Sequence, residues 1–337
     1  MKIAIDCRYL GKSGIGRVTE GILDSLDLTA NEYWLIGRPA ALKKYEGAHI
    51  VEDDSDPYSV KGLFSFPKQL NELCDAVLIP NFLIPFGIRL PVYAVMHDLA
   101  FLDVKETTKG ALDRLIKRTL LKRCMKRAKE ISCVSAFTRQ RCEHYYGKLA
   151  AKCFVNYNGL SESVIAYART HAPAEKADEI VFVGNVKPHK GLKALLAAFA
   201  RLGGETRLRI IGEKEHFLTG LDLDESAYHN VEFTGRLTDG ELLPAIARAK
   251  YLVLPSVYEG FGLPPLEALL LGTQPIVSDI PVFREVYQGL PVVYFRGEEG
   301  LLEALRRHPA PVDCREEVLS RYSYRQCAET LLEHMGV

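Results

Sequence analysis

Three turns in this 337-residue chain set glycine and charge just ahead of an apolar helical pattern. The first is Gly11-Lys12-Ser13-Gly14-Ile15-Gly16-Arg17, followed by Val18, Ile22, Leu23 and Leu26 on one helical face. Glycines there let a ligand approach the backbone, and the N–H groups of a helix start favour an anion. The turn is not a P-loop, because Asp6 stands where that motif needs glycine, and its spacing is not G-x-G-x-x-G. The second runs from Phe182 through Gly184, Asn185, Lys187, Pro188, His189 and Lys190 to Gly191. Lys187, His189, Lys190 and Lys193 crowd its helix start with no acid among them, although cations are favoured at the opposite end of a helix. Arg17 repeats that inversion at the first turn, and a bound anion would resolve both conflicts.

The third turn is Tyr258-Glu259-Gly260-Phe261-Gly262-Leu263-Pro264-Pro265-Leu266-Glu267. Its prolines pre-set a first helical turn, and Gly260 and Gly262 leave backbone N–H groups for an anion or a ring of hydroxyls. A hydrolase's carboxylate pair straddles one sugar ring about 5–10 Å apart. Here Glu267, expected in the first turn, would cap or bind hydroxyls on one side, with Glu259 in the loop on the other. A plain tight turn at the first site, and a favourable helix-start charge for Glu267, are the simpler alternatives.

Other candidates are less specific. His97-Asp98 ends an apolar strand and could reach a cleft, or be structural. Asp222-Leu223-Asp224 has the form of a metal-holding D-x-D but sits in a polar stretch away from any strand end, so metal binding is not expected. Lys109–Lys129 holds nine basic residues, among them Lys117, Arg118, Lys122 and Arg123, and one acid, Asp113. Leu112, Leu115, Ile116, Leu120 and Leu121 supply an apolar face, making this a basic amphipathic helix. Such a helix could lie on anionic lipid, receive an anionic acceptor, or cover a sheet with its charges in water.

These residues must be held by strands and helices. Apolar, β-branched runs recur at 2–5, 33–36, 76–79, 92–95, 131–134 and 153–155, then at 180–183, 208–211, 231–233, 251–254, 274–277 and 292–294. Continuous apolar strands separated by helices mean parallel sheets buried on both faces, an α/β class. The stretch 161–178 has no strand and suits a partly helical linker, giving two doubly wound domains, with ligands expected outside the carboxyl ends of the strands. The 43 Lys+Arg balance 43 Asp+Glu, yet residues 1–160 carry 24 against 18 and residues 161–337 carry 19 against 25. The zero is a cancellation of +6 and −6, and it argues against strong nucleic-acid binding. Eight scattered cysteines without a C-x-x-C pair or zinc spacing suit a reduced compartment. Without a membrane-length apolar run or a signal-like start, a soluble, cytoplasmic chain is the expectation.

The constellation resembles the retaining nucleotide-sugar transferases of glycosyltransferase family 4, which have the GT-B fold. The resemblance rests on Asp6-Cys7-Arg8-Tyr9-Leu10 with the Gly14–Arg17 loop, His97-Asp98-Leu99, Val134-Ser135-Ala136-Phe137-Thr138-Arg139, Asn158-Gly159, Gly184–Lys190, and the E-x7-E element Glu259–Glu267. The Gly-Asn-Val-Lys-Pro-His-Lys variant is similar to the bacterial mannosyltransferase branch of O-antigen and exopolysaccharide assembly.

The resemblance implies two Rossmann-like domains facing a central cleft: residues 1–160 on the acceptor side, joined by the helix 323–337, and residues 161–322 on the donor side. Lys190 would hold the donor diphosphate; Asn185 stands where many members carry arginine, and Lys187 is assigned the second positive charge. Glu267 would bind the ribose, Glu259 the sugar hydroxyls, and the backbone of Gly260, Phe261, Gly262 and Leu263 would face sugar and diphosphate. His97 would approach the sugar, while Gly14 and Gly16 would let their loop close. Arg17, Lys117, Arg118, Lys122 and Arg123 would mark the acceptor or membrane side. The implied activity is metal-independent, cofactor-free, retaining hexosyl transfer, with GDP-mannose favoured, to a glycan or lipid-linked acceptor and possible peripheral contact with the inner face of the cytoplasmic membrane. A GT-B sugar-nucleotide epimerase, or a nucleotide-sugar-binding protein without turnover, is the alternative.

Overall fold

The computed structural model describes residues 1–12, 14–172, 174–213 and 230–337, so Asp222 and Asp224 lie outside the described residues. The chain forms two compact units. One comprises Met1–Asp103, Thr108–Gly159 and Tyr322–Val337; the other comprises Val104–Thr107 and Leu160–Arg321.

The first unit is built on seven strands: β1 (Lys2–Asp6), β2 (Glu32–Gly37), β3 (His49–Glu52), β4 (Ala76–Ile79), β5 (Val92–Met96), β6 (Glu130–Cys133) and β7 (Cys153–Val155). They lie in the order β3-β2-β1-β4-β5-β6-β7, with every described pairing parallel. Parallel strands need crossovers, and the crossover helices cover the sheet, which is why β4 and β5 are buried at every residue. Only β3 escapes the apolar-run criterion. Its sequence is His-Ile-Val-Glu at the sheet edge, it is largely exposed, and it registers through Trp34 opposite His49, whose rings stack 4.6 Å apart.

The second unit holds β8 (Glu179–Val183), β9 (Arg207–Ile211), β10 (Val231–Gly235), β11 (Tyr251–Leu254), β12 (Gln274–Ser278) and β13 (Val293–Phe295) in the parallel order β10-β9-β8-β11-β12-β13. In each sheet the order reverses beside the first strand, where such sheets open a crevice. The stretch read as a linker contains the helix Glu162–Thr170, which buries Val164 and Ala168 in the second unit.

The helix Ala111–Arg127 divides the apolar residues expected on one face between two. It buries Leu121, Cys124 and Met125 against the sheet, whereas Leu112, Leu115 and Ile116 are 71, 60 and 51% exposed. Apolar spacing of three and four marks a helical face but does not say which of two such faces meets the sheet.

Candidate functional site

In the second unit the basic turn after β8 differs from the sequence reading in one respect. Pro188–Lys190 is a 3-10 turn, Gly191 is left-handed at φ +69°, and the helix proper starts at Leu192. The reason is packing: a Cβ at Gly191 would stand 1.9 Å from the Pro255 carbonyl oxygen, and the Val257 N–H donates to the His189 carbonyl at 2.8 Å. The turn after β8 is thus bolted to the loop after β11. Beside it, the chain leaves β8 and β9 through Gly184 and Gly212, where a Cβ on Gly212 would meet the Gly184 oxygen at 2.1 Å.

That junction brings together two residues 69 apart in sequence. Lys190 Nζ lies 2.6 Å from Glu259 Oε1, with their side chains 20 and 11% exposed. Ser256 Oγ donates to the same oxygen at 2.7 Å. Burial pushes the Glu259 carboxyl up, but the Lys190 charge and these hydrogen bonds outweigh it and hold the carboxyl below its ordinary range. Glu259 is therefore ionised, with Oε2 left to accept from hydroxyls, and Lys190 keeps two further N–H donors for an anion.

Next to the pair the helix Leu263–Leu270 begins at Gly262, φ +94°, with prolines in its first turn. A Cβ at Gly262 would overlap the Tyr287 hydroxyl at 2.4 Å, and that hydroxyl donates to the Gly262 carbonyl at 2.5 Å. Phe261 is buried, fixing the loop that carries Gly260. Glu267 is the fifth residue of this helix, beyond the first turn, and its side chain is buried at 3% exposure. It is therefore no N-terminal cap. Lys187 is exposed and Asn185 half-buried on the turn after β8.

The remaining candidates belong to the first unit. His97 follows β5, and its Nε2 is 2.8 Å from the Pro80 carbonyl oxygen. A carbonyl only accepts, so Nε2 carries the proton and Nδ1 is the acceptor. Burial pushes the His97 pKa down and keeps the ring neutral. Gly14 and Gly16 open the helix Gly14–Asp24 after β1. Gly14 has open space around it, whereas a Cβ on Gly16 would meet the Tyr9 oxygen at 2.3 Å, so Gly16 serves helix packing. Arg17 is half-buried. Lys117 pairs with Asp113 at 2.9 Å and Arg123 donates to the Ile84 and Pro85 carbonyls, while Arg118 and Lys122 are exposed.

Two clusters escaped sequence reading because their partners are distant in sequence. Arg8 grips Asp6 through two bonds of 2.8 and 2.7 Å, and through its other terminal nitrogen reaches Asp53, Ser55, Ser65 and the Gly62 carbonyl. This buried fork ties the 53–65 segment to the end of β1. Cys133, Cys142 and Cys153 place their sulfurs within 4.8 Å of one another in the core of the first unit, the one group among the described residues with a metal-holding arrangement. Hydrogen bonding among the three thiols, together with burial, pushes Cys133 and Cys142 up, whereas the same hydrogen bonds bring Cys153 down to about 4, so the trio titrates as one coupled group.

Residues 165–296, which contain the Lys190–Glu259 pair and Glu267, match the family model described as glycosyl transferases group 1. This stretch is a glycosyl transferases group 1 domain. The chain is 30% identical over 217 residues to the O-antigen chain mannosyltransferase RfbU of Salmonella typhimurium, covering 60% of each chain. It is 31% identical over 179 residues to the serotype-specific mannosyltransferase WbdA of Escherichia coli, covering 48% of this chain and 21% of WbdA. It therefore spans under two thirds of either relative. Among solved structures, Anabaena HepE in complex with UDP and glucose superposes with a TM-score of 0.74 at 15% identity over 100% of this chain and 99% of HepE. The lipopolysaccharide outer core galactosyltransferase WaaB superposes at 0.68 and 19% identity over 99 and 100%. These likenesses show the fold, two parallel-sheet α/β domains of the GT-B type, with the group 1 domain inside the second unit.

Proposed function

We propose that the chain is a retaining, metal-independent glycosyltransferase that moves a hexose, mannose from GDP-mannose before others, onto a glycan or lipid-linked saccharide in the cytoplasm during cell-surface polysaccharide assembly. The observation that carries the reading is the Lys190–Glu259 pair, seated beside the Gly262 helix start inside the group 1 domain. The mannosyltransferase names of RfbU and WbdA support mannose, and the HepE complex supports a nucleotide-sugar donor.

Cleaving a sugar–phosphate bond builds negative charge on the leaving diphosphate. Lys190, with Lys187 on the exposed turn, supplies fixed positive charge for it, and preorganised donors cost no reorganisation at the moment of reaction. Glu259 Oε2 accepts from the sugar hydroxyls and orients the ring. Glu267 takes the ribose hydroxyls. His97, neutral, approaches the sugar with Nδ1 as acceptor. Attack from the leaving-group face, with the departing phosphate taking the acceptor's proton, retains configuration without an enzyme nucleophile.

A panel of GDP-, UDP- and dTDP-sugars tests this by thermal stabilisation and slow donor hydrolysis, with and without EDTA. GDP-mannose is expected to raise the melting temperature most and to be hydrolysed equally in EDTA. Stabilisation by none of them would refute the transferase reading, and lost turnover in EDTA would refute metal independence.

A further inference from the structure

We propose that Cys133, Cys142 and Cys153 form a three-sulfur site for a soft monovalent cation, copper(I), inside the first unit. The thiols come from three elements: the end of β6, the helix Ala136–Tyr146 and the start of β7. Ser135 caps that helix by accepting from the Thr138 N–H at 3.0 Å, and Thr138 and Cys142, four positions apart, are the residues the helix buries. On β7, Cys153 stands opposite Ile131, two residues before Cys133 on β6, so both cysteines project from the same side of the sheet. The three sulfurs meet within 4.8 Å of one another.

Geometry favours an ion over a disulfide. Parallel strands about 4.8 Å apart, rising about 3.3 Å per residue, put the Cα atoms of Cys133 and Cys153 roughly 8 Å apart. A disulfide between them would need about 7 Å or less, and the ladder would have to move. Three sulfurs held around one ion at about 2.3 Å stand about 4 Å from one another. The trio therefore closes on a cation by adjustment of side chains, with the strand register kept.

The surroundings select the ion. The trio lies in one buried cluster with Met125, Ile131 and Ala150, and among the described residues no fourth cysteine, histidine or carboxylate joins the group. Zinc takes four ligands, and where the protein supplies three, water fills the last position. A dry apolar core supplies no such water, whereas soft thiolates select copper(I), for which three sulfurs suffice. Thiolates around a monovalent ion leave negative charge, and Arg139 and Lys152 act on Cys153 with the opposite sign. Entry is at Cys153, which is 5% exposed and begins the three-residue strand at the sheet edge, where local opening costs least.

The inference stands apart from the transferase reading, and nucleotide-sugar stabilisation measured on the same samples separates failure of one from failure of the other. The reduced full chain carrying Cys314→Ser, which removes the one cysteine that is not buried, is titrated anaerobically with copper(I) against a chromogenic copper(I) chelator. X-ray absorption then reads the ligands. One equivalent should bind, bonded to three sulfurs, and raise the melting temperature by about 4 °C or more. Cys142→Ala and Cys153→Ala should each weaken binding at least about tenfold, while Cys124→Ala, a buried neighbour outside the trio, should not. If the trio variants fail to fold, the spectrum of the Cys314→Ser protein decides: no copper bound, or copper bonded to nitrogen, oxygen or only two sulfurs, would overturn the proposal. So would undiminished affinity in the folded trio variants, or a preference for zinc that Cys124→Ala abolishes, which would assign the core a four-cysteine site instead.

Discussion

Replacing Lys190 with alanine does two things at once. The Glu259 carboxylate is left with Ser256 alone in a nearly enclosed place, and the donor diphosphate loses its nearest cation. Lys190→Ala should cost about 1–3 kcal/mol of stability and weaken nucleotide-sugar binding at least about tenfold, whereas Glu259→Gln, which keeps the Ser256 contact, should chiefly lower turnover. The stability part has a pH signature. Because the Glu259 carboxyl is held below its ordinary 4.5 in the fold, the pair's contribution is full above that value and is lost as pH falls through the lower folded one. The melting-temperature gap between parent and Lys190→Ala should therefore narrow below pH 4.5. A constant gap, or unchanged kinetics in both variants, would show that the pair is neither coupled nor at the site. Each of these two residues was legible alone, one as a cation where the helix dipole opposes it and the other as the start of E-x7-E. Their contact was not, and neither were the Arg8 fork and the three-cysteine cluster, whose members are joined only by the folded sheet.

Elements were more legible than contacts. Buried parallel strands are continuous apolar runs, so eleven of the twelve expected runs overlap their strands to within a residue at each end, and 231–233 forms β10, which extends to Gly235. The edge strand β3 lacked that signal because water covers it. The helix Ala111–Arg127 was visible as an amphipathic helix, but the division of its apolar residues was not, since both its faces carry them at helical spacing. The junction of the turns after β8 and β11 can be tested by comparing two glycines of similar φ. A Cβ added at Gly272, φ +75°, would have nothing within 4 Å, while one at Gly191, φ +69°, would collide with Pro255. Gly272→Ala should cost about 1 kcal/mol for the backbone alone. Gly191→Ala should cost roughly 2–3 kcal/mol or more and also weaken donor binding, because the turn must move off the loop that bears Glu259. Equal denaturation midpoints for the two variants would mean that this packing does not hold the pair together.

At the scale of the whole molecule, the chain enters the second unit near Leu160 and leaves it at Tyr322 to complete the first. Gly21 and Gly159 lack side chains where Tyr324 lies against them: a Cβ would stand 2.3 Å from its ring at Gly21 and 1.9 Å from its backbone nitrogen at Gly159. The helix Tyr324–Met335 buries Tyr324, Cys327, Leu331 and Met335, Asn156 donates to the Cys327 carbonyl at 2.9 Å, and His334 stacks on Phe154 at 3.5 Å. The three large side chains among them, Tyr324, Leu331 and Met335, at about 1.5–3 kcal/mol each are comparable to the whole margin of a domain, about 5–15 kcal/mol. Deleting residues 322–337 should therefore unravel the first unit while the second, which contains the group 1 domain, keeps its own core. Hydrogen exchange reads this directly: amides of β1, of the helix Gly14–Asp24 and of β6 and β7 should lose protection, and those of β8, β11 and β12 should keep it. Retained protection in the helix Gly14–Asp24 would mean that the returning helix is an appendage, and loss in both units together would mean that the two fold as one cooperative body.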